Sequence, residues 1–113
     1  MTVPPFALRS SLNDDALIVE VVGEIDMATA PELSTAISAA AEGVERVVVD
    51  LTEVTFLDSS ALNALVHSQR ELADREIGLR LVSPSDRVVR RVFEITQLTG
   101  PLRVVDSLAD ALA

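Results

Sequence analysis

The chain contains no cysteine, lysine, tryptophan or tyrosine. Without cysteine it has no disulfide bonds, thiolate metal sites, iron–sulfur clusters or cysteine nucleophile, and nothing in it requires an oxidising compartment. Three phenylalanines are its only aromatic residues, which are too few for a platform that stacks nucleobases. We therefore expect a cytoplasmic protein that does not bind nucleic acid.

The chain also has little positive charge. Nine arginines stand against 18 acidic residues among its 113 residues, so the formal net charge is −9. The acidic excess lies in residues 1–58, whereas the charges of residues 59–113 cancel. Binding to nucleic acid or to an anionic membrane surface needs a positive patch, so we expect neither.

Long apolar runs are missing as well. Residues 1–9 contain no basic segment followed by an apolar run, and the apolar stretches elsewhere span only a few residues. We therefore expect no signal peptide and no membrane-inserted segment. No repeat or Gly/Ser-rich linker divides the chain, and its length suits one hydrophobic core. The prediction is a single domain over residues 1–113.

Common catalytic signatures are absent: the Gly-rich phosphate loop, the dinucleotide-binding motif, the zinc-protease motif and the nucleophile elbow. His67 has no second histidine or cysteine with which to share a metal, so we interpret it as structural. Asp26, Asp50 and Asp58 at strand ends are similar to the acidic site of a receiver domain or phospho-aspartyl transferase. Such sites hold Mg²⁺ and normally place a lysine against the phosphoryl group, and this chain has no lysine. We predict a protein that is not an enzyme.

The hydrophobic pattern predicts strands that alternate with helices. A hairpin comes first, because a turn at 13–15 separates a short strand at 6–10 from a β-branched run at 16–22. The later elements are a helix that follows Thr29 and reaches about Ala41, a strand at 46–51, a helix from 58–60, a strand at 79–82, a helix at 85–95, a strand at 102–105 and a helix at 106–113. We expect residues 56–57 to lie in a connection.

This order predicts an α/β fold. Strands that alternate with helices pair in parallel through right-handed crossovers. We expect a mixed, mostly parallel sheet of about five strands in sequence order, with an N-terminal hairpin and with helices packed mainly on one face.

Helix starts are marked by capping chemistry. Thr29 with Glu32 three residues later predicts a capping box, Asp58 or a serine is expected to cap the next helix, and residues 83–86 resemble a third cap. The helix at 85–95 would bury a stripe formed by Val88, Val89, Val92 and Phe93.

The segment 56–62, Phe-Leu-Asp-Ser-Ser-Ala-Leu, carries the strongest functional signal. One interpretation is structural, because Asp and Ser at a helix N-terminus accept hydrogen bonds from free backbone N–H groups. The other is a phosphorylation site, because those N–H groups and the helix dipole favour a phosphate there. A phosphate beside Asp58 would repel a neutral or acidic partner surface. That is typical of a switchable binding surface.

Four segments together carry a resemblance to a known family: Gly-Glu-Ile-Asp at 23–26, Thr-Ala-Pro-Glu-Leu at 29–33, Val-Val-Val-Asp-Leu at 47–51 and the segment 56–62. With them the chain resembles, over nearly its whole length, the anti-sigma factor antagonist family, whose fold is the STAS domain. The resemblance implies a bacterial partner-switching regulator. Its unphosphorylated form binds an anti-sigma factor, usually one with a serine kinase domain, and so releases a sigma factor.

The resemblance also implies roles for particular residues. Ser59, directly after Asp58, would be phosphorylated by the kinase, and a PP2C-type phosphatase would remove the phosphate. ATP and Mg²⁺ would belong to the kinase, so the chain itself needs no cofactor or metal. The partner-binding residues would be Asp26, Thr29, Asp58, Ser59, Ser60 and Leu62.

Two points qualify the resemblance. The family usually has glycine where this chain has Ala61, and two effects of the added methyl stay open: it favours the helix by about 1 kcal/mol, or it obstructs the close approach of a kinase. Arg87, Arg90 and Arg91 have two interpretations, a solvated helix face, which we favour, or a contact with an acidic partner. An alternative function is a STAS accessory subunit of a membrane transporter of the lipid ABC type, docked on its ATPase.

Overall fold

The computed structural model describes residues 6–113. Its strands are β1 (Ala7–Asn13), β2 (Ala16–Ile25), β3 (Arg46–Leu57), β4 (Gly78–Val82) and β5 (Val104–Val105), and its helices are α1 (Ala30–Ala40), α2 (Ser59–Asp74), α3 (Val88–Ile95) and α4 (Leu108–Leu112). The order of strands and helices is the one that the hydrophobic pattern predicts. None of the described helices is both long enough and apolar enough to cross a membrane.

The five strands form one sheet in the order β1-β2-β3-β4-β5. β1 and β2 pair antiparallel as a hairpin, and the remaining pairs are parallel. Each parallel pair is joined through a helix, as parallel strands require. The mixed, mostly parallel α/β fold with strands in sequence order is therefore confirmed.

Both faces of the sheet are covered, but unequally. Val47 and Val49 of β3 face the larger core, which α1, α2 and α3 cover, whereas Val48 faces a smaller core with α4. All three valines have no exposed surface, as expected where successive side chains of a strand point to opposite faces and both faces are packed. The helices lie mainly on one face, as predicted, and α4 is the exception.

Three strands run further than their local pattern indicates. β1, predicted at 6–10, continues to Asn13. β2 continues through Gly23 to Ile25, and β3 continues to Leu57, so the prediction of a connection at 56–57 is wrong. Ile25 and Leu57 are paired residues, and the pairing reaches them after two register shifts, one between Glu20 and Val22 and one between Gly23 and Glu24. Gly23 has a φ of 98°, a conformation that favours glycine.

The third long helix begins later than predicted. α3 starts at Val88, without a side-chain cap at Arg87, so the expectation of a cap at 83–86 is wrong. The N–H of Ser83 donates to the Val105 carbonyl, and that of Ser85 to Asp106. These contacts hold residues 83–85, which follow β4, against Val105 of β5 and against Asp106. The segment is therefore not helical.

The buried side of α3 is narrower than predicted. Val89 and Phe93 are buried, but Val88 is 85% exposed, so its place in the predicted buried stripe is wrong. Val92 is partly buried against the larger core.

Arg90 joins three parts of the fold. Its guanidinium donates to the Ser83 carbonyl at 2.6 Å and to Asp106 at 2.8 Å, and its side chain is only 14% exposed. The interpretation of a solvated helix face is therefore wrong for Arg90, whereas Arg87 and Arg91 are exposed.

Replacing Arg90 by alanine should lower the free energy of unfolding by about 1–2 kcal/mol, because the Ser83 carbonyl loses a charge-assisted donor. Asp106 is 58% exposed, so its ion pair adds little to this loss. Urea denaturation of Arg90→Ala measures the change. Arg91→Ala is the control and should change stability by less than about 0.5 kcal/mol; equal losses would contradict the anchoring role.

Glu45, in the connection before β3, lies against the turn of the first hairpin. Its N–H donates to the Asp15 carbonyl at 2.9 Å. The Asp15 carboxylate raises the pKa of Glu45 above its ordinary value, first through a hydrogen bond with the Glu45 carboxyl and then through its negative charge, while Arg46 opposes the shift.

A raised carboxyl pKa means that folding favours protonated Glu45, so this contribution to stability is present at low pH and is lost as the pH rises through the folded pKa. Glu45→Gln should therefore raise the midpoint of thermal unfolding near pH 7, where the repulsion acts. The gain should disappear below about pH 4, where the Glu45 carboxyl is protonated, and therefore uncharged, in both the folded and the unfolded chain. Thermal unfolding across this pH range tests the prediction, and a gain that is independent of pH would refute it.

Candidate functional site

The pairing of β2 with β3 brings two acidic turns together. Ile25 and Leu57 lie opposite each other at the carboxyl ends of these parallel strands, and the next residues are Asp26 and Asp58. The Asp58 N–H donates to the Ile25 carbonyl at 3.3 Å. The turn after β2 and the start of α2 are therefore neighbours at one edge of the sheet.

Asp58 caps α2. Its side chain accepts a hydrogen bond from the Ala61 N–H at 3.1 Å, and its own backbone is extended. Of the two capping possibilities that the sequence leaves open, aspartate or serine, the structure has the aspartate. Ser59 is therefore the first helical residue, and it has no part in the cap.

The Ser59 side chain is exposed. Its hydroxyl makes no hydrogen bond within residues 6–113, so it is accessible to a modifying enzyme. The first N–H groups of a helix lack partners inside the helix, and the helix dipole places positive potential there. A phosphate on Ser59 would be accommodated at the start of this 16-residue helix without unfolding it.

Asp26 organises the turn between β2 and α1. Its Oδ1 accepts hydrogen bonds from the Ala28 N–H at 2.9 Å and from the Thr29 N–H at 3.1 Å. The Thr29 hydroxyl accepts from the Asp26 N–H at 2.9 Å and contacts the Glu24 carbonyl at 3.0 Å as a donor. The turn is thus tied together by its own side chains.

The predicted capping box at this turn is wrong. Thr29 does occupy the N-cap position of α1, but its side chain makes no capping hydrogen bond. Its hydroxyl is engaged by Asp26 and Glu24 on the strand side of the turn, and its N–H bonds to Asp26 instead of to Glu32. The Thr29 side chain therefore stabilises the turn between β2 and α1 instead of capping α1.

The loop and the two helices enclose a shallow depression of about 340 Å³ next to the serines. Its lining residues are Met27, Ala30, Pro31, Ser34, Ser60, Asn63 and Ala64. Met27 is 78% exposed, an unusual exposure for a large apolar side chain beside a polar turn. The sequence interpretation missed Met27 and Asn63; the i, i+3 and i+4 spacing of Ser60, Asn63 and Ala64 on one side of a helix is the signal that would have found the latter.

The structure brings together most of the residues predicted to bind a partner. Asp26 and Thr29 on one turn lie beside Asp58, Ser59 and Ser60 on the other. Leu62 differs, because it is half-buried and packs against the larger core.

Ala61 points away from the surface. It is fully buried and belongs to the larger core. This methyl therefore adds to the packing of α2 in the core instead of standing on the surface that a kinase would approach.

Two other sequence candidates lie away from this edge. Asp50 is eight residues before Asp58 in β3, about 25 Å along an extended strand, and its Oδ1 accepts from the N–H and the hydroxyl of Thr52. The acidic cluster of a receiver domain is therefore not assembled from Asp26, Asp50 and Asp58. His67 is exposed and lines a groove between α1 and α2.

Replacing Asp26 by alanine removes the acceptor for two backbone N–H groups, so we expect a loss of about 1–2 kcal/mol in unfolding free energy. Asp26→Asn is the matched control, because its side-chain oxygen retains both contacts, and it should lose less than half as much. Chemical denaturation of both variants distinguishes a hydrogen-bonding role from a role of charge. Equal losses would contradict the hydrogen-bonding account.

Comparison with known proteins places this geometry in context. The family model described as the STAS domain matches residues 8–111. An anti-sigma-B factor antagonist of Listeria monocytogenes is 37% identical over 94 residues, which cover 81% of each chain.

Solved structures of anti-sigma factor antagonists have the same fold as this chain. An anti-sigma factor antagonist from Mycobacterium paratuberculosis superposes with a TM-score of 0.85 at 34% identity, over 96% of this chain and 92% of the other. The anti-sigma factor antagonist SpoIIAA in its unphosphorylated form superposes with a TM-score of 0.74 at 25% identity, over 96% and 93% of the two chains.

Proposed function

The chain belongs to the STAS domain family, and from this premise we propose that it is an anti-sigma factor antagonist. It binds an anti-sigma factor and thereby releases a sigma factor. Support comes from relatives of that name that match across most of both chains. The observation that carries the proposal is the exposed Ser59, which stands beside Asp58 and the Asp26 turn and is not needed for the helix cap.

Phosphorylation of Ser59 is the proposed switch. The anti-sigma factor has a serine kinase domain that supplies ATP and Mg²⁺, and a PP2C-type phosphatase reverses the modification. The chain itself needs no cofactor or metal and is not an enzyme. SpoIIAA, a structural relative, is known in an unphosphorylated form, which supports phosphorylation as a second state of such a protein.

The switch acts through surface charge. A phosphoserine carries about −1.5 to −2 charges at neutral pH, and here it adds to the carboxylates of Asp58 and Asp26. Because the helix N-terminus tolerates a negative charge, the fold stays intact. A partner surface that fits the unmodified site then meets a dianion and is repelled.

The proposed docking surface comprises Asp26, Thr29, Asp58, Ser59, Ser60 and Leu62. The exposed Met27 side chain beside these polar groups provides an apolar anchor, and half-buried Leu62 contributes from the side of α2. Apolar anchors surrounded by polar contacts are typical of protein interfaces. Residues 1–113 act as a single domain in this proposal, and the protein works in the cytoplasm.

Ser59→Asp should weaken binding to the anti-sigma factor at least about tenfold, which is 1.4 kcal/mol, whereas Ser59→Ala should bind within about twofold of the unmodified chain. Isothermal titration calorimetry measures all three affinities. Ser11→Asp is the control for added charge, because Ser11 is exposed and lies near the opposite end of β2, and it should bind normally.

Equal affinities for Ser59→Asp and Ser59→Ala would refute the switch. Failure to bind any anti-sigma factor, together with binding to a transporter ATPase that neither change affects, would support the alternative function as an accessory subunit.

A further inference from the structure

The two edges of the sheet differ in how they are protected. β5 has only two residues and so exposes a very short edge. β1 has seven residues, contains no proline or lysine and carries a single charge, on Arg9. Within residues 6–113 it pairs only with β2. Proteins usually protect a long edge strand with charges, prolines, bulges or a covering segment, and β1 has only the charge of Arg9, with no proline and no bulge in its pairing with β2.

The hairpin register identifies which backbone groups of β1 are unpaired. Asn13 pairs with Ala16 across a two-residue turn, and the residues that close such a turn exchange hydrogen bonds with each other. Alternation along the strand then directs the N–H and C=O groups of Leu8, Ser10 and Leu12 away from β2. These three residues form the outward set, a row of donors and acceptors at the edge of the sheet that no other strand of residues 6–113 pairs with.

The side chains of the outward set lie on the face of the sheet that α1, α2 and α3 cover. Their partners in β2 are Val21, Val19 and Leu17, all of which belong to the larger core. Leu12 nevertheless remains 71% exposed. An apolar side chain that faces the core side is thus left in solvent.

We propose that β1 pairs antiparallel with β1 of a second copy, with Ser10 opposite Ser10, to form a continuous ten-stranded sheet. In this register the outward sets of the two copies coincide, so that their N–H and C=O groups satisfy one another. Leu12 of each copy lies opposite Leu8 of the other on the same face, and both copies of Leu12 lose water contact. A second copy is the occupant that fits because the strand is complementary to itself about Ser10.

The charges along the strand permit this pairing. Arg9 lies on the other face of the sheet, opposite Ser11 of the second copy, and its neighbour in β2 is Glu20, whose carboxylate offsets the positive charge. The net charge of −9 on each copy opposes association at long range, and salt screens this repulsion. The dimer is therefore weak at low ionic strength and strengthens as salt is added.

The dimer is independent of the proposed function and compatible with it. The two β2 strands run in opposite directions, so the two Ser59 sites lie at opposite ends of the ten-stranded sheet and both remain accessible. The dimer would present two docking surfaces to its partners.

Single cysteines test the register, because the chain has none of its own. In Ser10→Cys the two Cα atoms would lie about 5.5 Å apart across the symmetry axis, within the range that a disulfide spans. In Ser11→Cys they would be about 8 Å apart, too far for a disulfide. Both serines are exposed and adjacent, so Ser11→Cys is a matched control. After oxidation with diamide, non-reducing electrophoresis should detect a covalent dimer of Ser10→Cys and at least about tenfold less of Ser11→Cys.

Sedimentation equilibrium of the cysteine-free chain provides a second measurement. Leu12→Asp should raise the dissociation constant of the dimer at least about tenfold. Ile95→Asp, the same change at an apolar residue of similar exposure on α3, 74% against 71%, should leave it unchanged. Equal cross-linking of the two cysteine variants, no cross-linking of either, or equal effects of the two aspartates would each overturn the proposal. None of these results depends on an anti-sigma factor.

Discussion

The parallel pairing of β2 with β3 is the constraint on which the candidate site depends. It places Ile25 opposite Leu57, so β2 and β3 end side by side at the same edge of the sheet. Asp26 then organises one turn and Asp58 caps α2 beside it. The hydroxyl of Ser59 is left exposed because an aspartate, and not a serine, satisfies the helix start. The site thus follows from strand register first and from residue chemistry second.

The same pairing separates groups that the sequence places on equal terms. Asp50 has the same position after an apolar run as a strand-end aspartate, but β3 continues for seven residues beyond it. Its carboxylate bonds locally to Thr52 instead of joining the acidic edge. The distance along the extended strand therefore separates Asp50 from the two aspartates that do meet.

The fold was predictable because short segments of the sequence indicate most of its strands and helices. The β-branched run at 16–22 and the valines at 47–49 favour strands, and Asp58 marks a helix start. The errors arise from pairings and hydrogen bonds that the local hydrophobic pattern does not encode. The end of β3 depends on β2, the start of α3 depends on Asp106 and Val105, and the Thr29 hydroxyl bonds back to the preceding strand. The hydrophobic pattern also does not predict which way a side chain near a turn points. Ala61 points into the core and Met27 outward, although each lies next to a polar turn.

We propose that the exposed Ser59 is the phosphorylated residue of a binding switch. The most direct measurement is mass spectrometry of phosphopeptides across residues 47–70, after the purified chain is incubated with ATP, Mg²⁺ and a kinase-like anti-sigma factor. We predict a single phosphate on Ser59 and none on Ser60, whose side chain is half-buried. A stable complex without phosphate, or a phosphate on another residue, would contradict it.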